Sequence, residues 1–329
     1  MNKYFNEVCN TLKLGNLNDE VVQIYGGKTN KLFKISTEIG KYAIKIISKS
    51  NIEKNKDLLM NLEITEQISN SAKLNNINVV SAKKINGRYV QKVKENYLLI
   101  YDWYEGDMLY NHEITLQNIK DIACELAKFH KLEIFGNIKK RVNEKIDFYQ
   151  YLELLLEEKE EWSKYIVENF KNLVNVYERS YDCYTKLTNQ KSFVHGDLSS
   201  KNILLVGNKI YMIDWETSKV GNPSLDFFYT SWFGIGKFNE KNYYDFCKFY
   251  LSDNVLLDDL NVSSYAALTE EFAWLELCLK RALKIQTKDE YEILIGKDSA
   301  IRSLKRILEC YNNIPGMLKI INKIKEEIK

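Results

Sequence analysis

The chain has 329 residues, of which 45% are hydrophobic and 28% are charged, and its formal net charge is +2. This length favours two domains or one large domain with two lobes. The balanced composition excludes a disordered or strongly basic chain and points to no nucleic-acid partner.

The first hundred residues are predicted to form a small antiparallel sheet with one helix. Strand-like alternation over 21–46 turns back at Gly40. Apolar residues at helical intervals predict a helix over 52–74. Two or three further strands follow over 76–103, where Asn86-Gly87 is a strong hairpin signal.

Beyond Gly106 the pattern becomes helical, apart from one stretch near residue 200. Apolar periodicity predicts helices over 115–131, 148–170, 239–251, 268–285 and from 298 to the C-terminus. We therefore predict an α+β protein with a β-rich lobe at 1–101, a connector at 102–106 and a helical lobe at 107–329.

The sequence shows no membrane or disulfide signal. The N-terminus lacks an apolar core of signal-peptide length, and no run approaches the roughly 20 apolar residues that cross a bilayer. We expect a cytoplasmic protein without a membrane partner. Six scattered cysteines without a C-x-x-C pair predict neither a zinc site nor a disulfide framework.

The most informative stretch runs from Phe193 to Phe227 and reads FVHGDLSSKNILLVGNKIYMIDWETSKVGNPSLDF. It predicts a loop, a strand, a turn and a second strand. Paired strands lie roughly 4.8 Å apart, so Asp197 and Asn202 at one end are expected to meet Asp214 at the other. Oxygen ligands of this kind suit Mg²⁺.

These three residue types match the needs of phosphoryl transfer. The reaction requires a carboxylate that orients the attacking hydroxyl and accepts its proton, together with separate ligands for the metal. We assign the first role to Asp197 and the second to Asn202 and Asp214. One such aspartate alone would more often be a solvated residue of a polar hairpin, but the combined H-x-D-x4-N and I-D pattern favours the site.

HGDLSSKN followed by YMIDWE resembles the catalytic and metal-binding loops of the aminoglycoside phosphotransferase and choline kinase superfamily, whose fold is that of protein kinases. The resemblance implies a bilobal fold that uses ATP and Mg²⁺. It also implies that Asp226, in GNPSLDF, braces the catalytic loop and that His195 orients it. We expect both to give structural support rather than direct chemistry.

A kinase of this fold also needs a lysine on the phosphates, held by a helix glutamate. Lys45 ends the strand YAIK and is the candidate, although a strand lysine is often only a solvated edge residue. Glu63 and Glu66 lie three residues apart on one helix face, so periodicity cannot separate them. The resemblance favours Glu63, and Glu66 stays open.

The nucleotide contacts are predicted at two further places. GGKTNKLFKI resembles the G-G-x-[ST]-N nucleotide loop of choline and ethanolamine kinases, which implies roles for Gly26, Gly27, Thr29 and Asn30. A glycine pair between strands is by itself usually only a hairpin. The connector, at Asp102 and Trp103, is expected to offer backbone groups to adenine.

The acceptor is expected to be a small alcohol, because no A-P-E element or activation-loop phosphosite lies between Asp214 and Asp226. Acids near aromatic rings can hold a cation, and the candidates are Glu216, Trp232, Glu271 and Trp274. The alternative for these residues is core packing for Trp274 and solvation for the glutamates.

We therefore predict an ATP-dependent kinase that phosphorylates an amino alcohol such as choline or ethanolamine, an aminoglycoside or other antibiotic, or a sugar. The alternative is a non-catalytic, CotS-like spore-coat member that keeps the fold. Joint retention of Lys45, Asp197, Asn202 and Asp214 favours the enzyme.

Overall fold

The computed structural model describes residues 2–19, 21–24, 30–136, 143–235 and 238–328. The chain divides into two compact units. Unit 1 is Met1–Asp121 with Ser200–Lys219, and unit 2 is Ile122–Ser199 with Val220–Lys329. The segment with Asn202 and Asp214 thus belongs to unit 1, although it follows the connector by about a hundred residues. The functional boundaries at 101 and 106 stay a prediction.

Within the described residues, six strands lie between residues 22 and 108, and four short strands lie between residues 192 and 221. In chain order they are β1 (Val22–Ile24), β2 (Lys31–Thr37), β3 (Gly40–Ile46), β4 (Gln91–Val93), β5 (Asn96–Asp102), β6 (Asp107–Met108), β7 (Ser192–Val194), β8 (Ile203–Val206), β9 (Lys209–Met212) and β10 (Lys219–Gly221).

The α-helices of the described residues lie mostly in unit 2. They are α1 (Asn2–Leu12), α2 (Lys49–Lys54), α3 (Leu58–Leu74), α4 (Leu116–His130), α5 (Leu152–Glu157), α6 (Glu161–Glu168), α7 (Phe170–Thr185), α8 (Pro223–Phe233), α9 (Glu240–Leu251), α10 (Leu260–Ala266), α11 (Leu268–Ala282) and α12 (Glu290–Ile328). None of these described helices is long and apolar enough to cross a bilayer.

Unit 1 contains two antiparallel sheets. The larger has the strand order β1-β2-β3-β5-β4, and the smaller has the order β6-β8-β9. The Asn86-Gly87 turn has φ values of 50° and 82°, and Ile85 pairs with Arg88 across it. Two positive φ values are what a type I′ hairpin turn requires. The antiparallel sheet and the α+β class are therefore confirmed.

Helix α1 was not predicted, although its sequence carries the signal. Phe5, Val8, Cys9 and Leu12 follow helical spacing, and all four are buried. The ring of Phe5 lies with its centroid 5.0 Å from that of Phe33 in β2. The apolar face of α1 thus covers one face of the larger sheet.

The predicted helix over 52–74 is interrupted, and some helices of the structure were not predicted. Asn55 ends α2 in an extended conformation, so α2 and α3 are separate. Helix α8 begins at Pro223, and the Asn222 side chain accepts a hydrogen bond from the Ser224 N–H at 2.9 Å. An N-cap followed by proline is a sequence signal for a helix start, so this helix could have been predicted.

Unit 2 is built around the pairing of α11 with α12. A Cβ atom at Gly296 would lie 2.8 Å from the Ala282 nitrogen and 2.9 Å from the Cys278 carbonyl oxygen. The two helices therefore approach more closely there than a larger side chain allows. Helix α12 begins at Glu290, earlier than predicted, and continues through Pro315.

We expect Phe5→Ala to lower the free energy of unfolding by about 3–5 kcal/mol, because it removes a buried ring and leaves a cavity beneath α1. Urea unfolding followed by circular dichroism measures the change. Tyr110→Ala is the control, since that aromatic side chain is 60% exposed in the same unit. Equal losses in the two variants would show that α1 does not stabilise the sheet.

Candidate active site

The site in unit 1 is organised by Lys45. In β3 the side chains of Tyr42 and Ile44 enter the core, and alternation along a strand turns Lys45 to the other face. Its Nζ lies 2.9 Å from Oδ1 of Asp214 and 2.6 Å from Oε1 of Glu216, and its side chain is 17% exposed. Lys45 is thus a paired, largely buried cation rather than a solvated edge residue.

The partners of Lys45 keep its side chain protonated. Burial alone would lower its pKa, but the negative charges of Asp214 and Glu216 and their hydrogen bonds outweigh burial and raise the pKa above its ordinary value. The ammonium group therefore stays protonated at every pH at which the protein would work.

Asp214 is placed by the backbone pairing of β9. The Met212 N–H donates to the Asn78 carbonyl at 2.9 Å, and the Ile213 N–H donates to the Asn202 carbonyl at 3.0 Å. Asp214 then adopts a left-handed conformation, with φ 63° and ψ 67°, at the start of a short 3-10 helix over Trp215–Thr217. Aspartate tolerates this conformation better than most residues, and the turn aims its carboxylate at Lys45.

The side-chain chemistry of Asn202 and Asp214 fits a magnesium ion. Asn202 is buried and the Asp214 side chain is 43% exposed, and their oxygens are hard donors of the type that Mg²⁺ prefers. Within the described ranges no three His, Cys, Asp or Glu side chains form a metal site. Asn202 and Asp214 are one amide and one carboxylate rather than a group of three such side chains. Metal binding by these two residues therefore stays a prediction.

The helix glutamates of α3 have different partners. Glu63 accepts hydrogen bonds from the N–H groups of Tyr89 and Val90, at 3.1 and 2.9 Å. Glu66 is 2% exposed and accepts from the Ala82 N–H and the Tyr101 hydroxyl, both at 2.7 Å.

The pKa of Glu66 is shifted by its surroundings. Burial raises the pKa of Glu66, while its hydrogen bonds and the charge of Lys45 oppose that rise. The choice between Glu63 and Glu66 as the partner of Lys45 stays a prediction, and the contacts show only that the Glu63 carboxylate caps the segment before β4. Periodicity could not show this, because both residues lie on one helix face.

Asn30 joins the end of the predicted nucleotide loop to this cluster. Its Oδ1 accepts from the Ser48 N–H at 3.0 Å, and its Nδ2 donates to Oε1 of Glu216 at 2.9 Å. Gly26, Gly27 and Thr29 lie outside the described residues. Glu216, a candidate substrate contact, instead lies beside Lys45 and Asn30.

The first two residues of the connector, Asp102 and Trp103, form hydrogen bonds within unit 1. The Trp103 N–H donates to the Lys41 carbonyl at 3.0 Å, and the Asp102 carboxylate accepts from Lys83 Nζ at 2.7 Å. The predicted adenine contact cannot use the Trp103 N–H while this bond is intact. Backbone recognition by this segment stays a prediction.

Asp226 braces the loop that precedes Asp197 in unit 2. This carboxylate is 3% exposed and accepts from the N–H groups of His195 and Gly196, at 2.8 and 2.9 Å. Nε2 of His130 lies 3.1 Å from it, and Nδ1 of His130 lies 2.6 Å from the Tyr250 hydroxyl. These contacts support the predicted structural role of Asp226 and give it a buried partner, His130.

The pKa of Asp226 reflects this environment. Burial would raise it, but the hydrogen bond and charge of His130, together with His195, outweigh burial and hold the pKa below the ordinary value. The carboxylate therefore remains ionised and keeps accepting from the loop.

Asp197 follows Gly196 directly, so the braced backbone fixes its position. Its Oδ1 accepts a hydrogen bond from the Tyr229 hydroxyl at 2.6 Å. Tyr229 was not predicted as a site residue, although it lies three residues after Asp226 and therefore on the same face of α8. Asp197 belongs to unit 2 and the other two motif residues to unit 1, so the predicted meeting of all three stays a prediction.

The remaining acceptor candidates have contacts within unit 2. Trp232 is 3% exposed, and its Nε1 lies 3.0 Å from the sulfur of Met317. Glu271 is 3% exposed and binds Arg306 and, at 2.7 Å, the Ser303 hydroxyl. The guanidinium of Arg281 lies 5.9 Å from the ring of Trp274. These contacts favour helix packing over substrate contact for Trp232 and Glu271.

Several solved structures share this fold. Spectinomycin phosphotransferase in complex with ADP and spectinomycin has a TM-score of 0.70 at 13% identity, covering 94% of this chain and 98% of that one. An ethanolamine kinase from Plasmodium vivax has a TM-score of 0.54 at 20% identity, with coverages of 87% and 81%. A choline/ethanolamine kinase family protein from Mesorhizobium loti has a TM-score of 0.56 at 12% identity, with coverages of 98% and 99%.

Comparison at the sequence level gives a family. A search of the curated proteins finds no match. The family model for choline/ethanolamine kinase matches residues 21–254, a span that contains the Lys45 cluster, the braced loop and Tyr229. This protein therefore belongs to the choline/ethanolamine kinase family and is a phosphotransferase that acts on an alcohol group.

Proposed function

We propose that the protein transfers the γ-phosphate of ATP to a hydroxyl group of a small acceptor. The observation that carries this proposal is the buried ammonium of Lys45 on the Asp214 carboxylate, 2.9 Å away. Kinases of this fold place a strand lysine on the phosphates and a nearby aspartate on the metal, and Lys45 and Asp214 supply these two residue types side by side. A purely structural module has no need to bury this lysine.

Asp197 would act on the acceptor. Its carboxylate accepts the proton as the hydroxyl oxygen attacks the γ-phosphorus, and the bond from that phosphorus to the bridging oxygen breaks to release ADP. The bracing of His195 and Gly196 by Asp226 limits movement of the loop. This rigidity supports Asp197 in the role, because a base must lie within hydrogen-bond reach of its proton.

Lys45 would contact the phosphates, and Asn202 and Asp214 would hold Mg²⁺. The bound metal would neutralise phosphate charge. Asp214 and Glu216 keep Lys45 charged and oriented, while Asn30 donates a hydrogen bond to Glu216. Lys45 and the bound metal would supply the positive charge that a triphosphate needs, and the carboxylates would hold both cations in place.

For the acceptor we propose a small alcohol that carries an amine, of the amino alcohol or aminoglycoside class, with sugars as the alternative. The family and the spectinomycin and ethanolamine named for similar structures support this class. A coupled assay of ADP release over choline, ethanolamine, spectinomycin, other aminoglycosides, macrolides, sugars and homoserine tests it. Turnover with none of these would overturn the acceptor class.

Saturating Mg-ATP should raise the melting temperature, because a ligand at about 100 times its Kd stabilises the folded state by about 2.7 kcal/mol. We expect Asp214→Ala to lose most of this shift in differential scanning fluorimetry. Asp182→Ala is the matched control, since it removes a surface aspartate that pairs with Lys186. An unchanged melting temperature in the wild-type protein would instead favour the non-catalytic, CotS-like alternative.

Asp197→Asn should keep the Mg-ATP thermal shift and lower kcat by about 10²–10⁴-fold, because the amide cannot accept the acceptor proton. The coupled ADP assay with the best acceptor gives kcat, and the thermal shift gives nucleotide binding in the same preparation. If turnover survives this change at the wild-type rate, Asp197 is not the base.

A further inference from the structure

The hydroxyl of Tyr229 touches the proposed base and comes from a different element. Helix α8 carries both Asp226, which holds the loop backbone, and Tyr229, whose hydroxyl lies 2.6 Å from Oδ1 of Asp197. The two residues are almost one helical turn apart. One rigid helix therefore sets both the path of the loop and the rotation of the Asp197 carboxylate.

The ring of Tyr229 is held by its neighbours. It meets the ring of Phe233 edge-on, with centroids 4.9 Å apart, and the guanidinium of Arg306 lies 4.4 Å from the Phe233 ring. Arg306 is in turn paired with the buried Glu271. This stack from α8 to α12 fixes the direction in which the hydroxyl points.

The hydroxyl is a permanent donor. Burial raises the pKa of Tyr229 well above its ordinary value, the charges of Asp197 and Glu271 raise it further, and the charge of Arg306 opposes them. Of the charged groups that face it, Asp197 lies in the loop, Glu271 in α11 and Arg306 in α12. Tyr229 therefore stays protonated and donates over the whole working pH range.

We propose that Tyr229 is a positioning residue for the phosphoryl transfer: its hydroxyl stabilises the ionised Asp197 carboxylate and fixes which of its two oxygens takes the acceptor proton. The tyrosine keeps its own proton throughout, and the proton from the acceptor goes to Asp197. The inference deepens the proposed function and rests on Asp197 being the base.

The test is Tyr229→Phe, which keeps the ring and removes only the hydroxyl. A hydrogen bond to a charged group is worth enough that its loss should lower kcat by about 10-fold, with the KM for ATP unchanged. Because the charged form of Asp197 loses a donor, its pKa rises, and the acidic limb of the pH profile moves to higher pH. Steady-state assays from pH 5 to 9, with the best acceptor from the ADP screen, measure both effects.

Tyr151→Phe is the matched control. Tyr151 is a buried tyrosine in the same unit, and its hydroxyl donates to Oε1 of Glu276 at 2.7 Å. This variant loses the same type of hydrogen bond at a different carboxylate. We expect its kcat and its acidic limb to match those of the wild-type protein.

A wild-type kcat and pH profile in Tyr229→Phe would overturn the inference. A lower kcat with an unmoved acidic limb would also overturn it, since a merely structural role predicts that pattern. If the Phe variant loses thermal stability, fluorotyrosine at position 229 replaces it. That residue keeps the hydroxyl as a stronger donor and should move the acidic limb to lower pH.

A spectroscopic arm separates this inference from the proposed function. Aspartate labelled with ¹³C at the carboxyl carbon reports the pKa of Asp197 directly, and its resonance is assigned by its loss in Asp197→Asn. We expect a higher pKa in Tyr229→Phe than in the wild-type protein. This shift without turnover of any acceptor in the screen would support the Tyr229 contact and reject the proposed acceptor class. Turnover without the shift would support the kinase proposal and reject the Tyr229 contact.

Discussion

The constraint on which unit 1 depends is the burial of one ammonium group. A buried lysine without partners would cost several kcal/mol, so the side of the sheet that carries Lys45 has to receive carboxylates from elsewhere in the chain. Asp214 and Glu216 supply them from about 170 residues downstream. Three features place these two acids beside Lys45. They are the backbone pairing of β9, the left-handed turn at Asp214 and the contact of Asn30 with Glu216.

Unit 2 applies the same principle with the opposite charge. The Asp226 carboxylate is buried, and backbone N–H groups and His130 satisfy it. Because these donors belong to the loop before Asp197 and to α4, one acid joins three elements. Tyr229, on the same helix face, extends the arrangement to the proposed base. A buried carboxylate thus fixes the backbone, and a neighbouring phenol fixes the side chain that the backbone presents.

Local patterns in the sequence predicted local structure well and long-range partners poorly. Helix α4 was predicted to within one residue at each end, because apolar spacing is local. Helix α1 carries the same type of spacing and was overlooked, whereas the break between α2 and α3 follows from Asn55 leaving the helical conformation. At the site, periodicity could not separate Glu63 from Glu66, because facing the same side of a helix does not decide which acid reaches a particular cation.

The sequence by itself determined the superfamily, the α+β class and the residue types of the motif, since these are properties of neighbouring residues. Only the tertiary structure decided that Glu66 is buried against Tyr101, that Glu216 pairs with Lys45 and that Tyr229 donates to Asp197. The physical reason is that buried charges and hydroxyls select partners by distance in space. Those partners lie tens to well over a hundred residues away along the chain, where no local pattern records them.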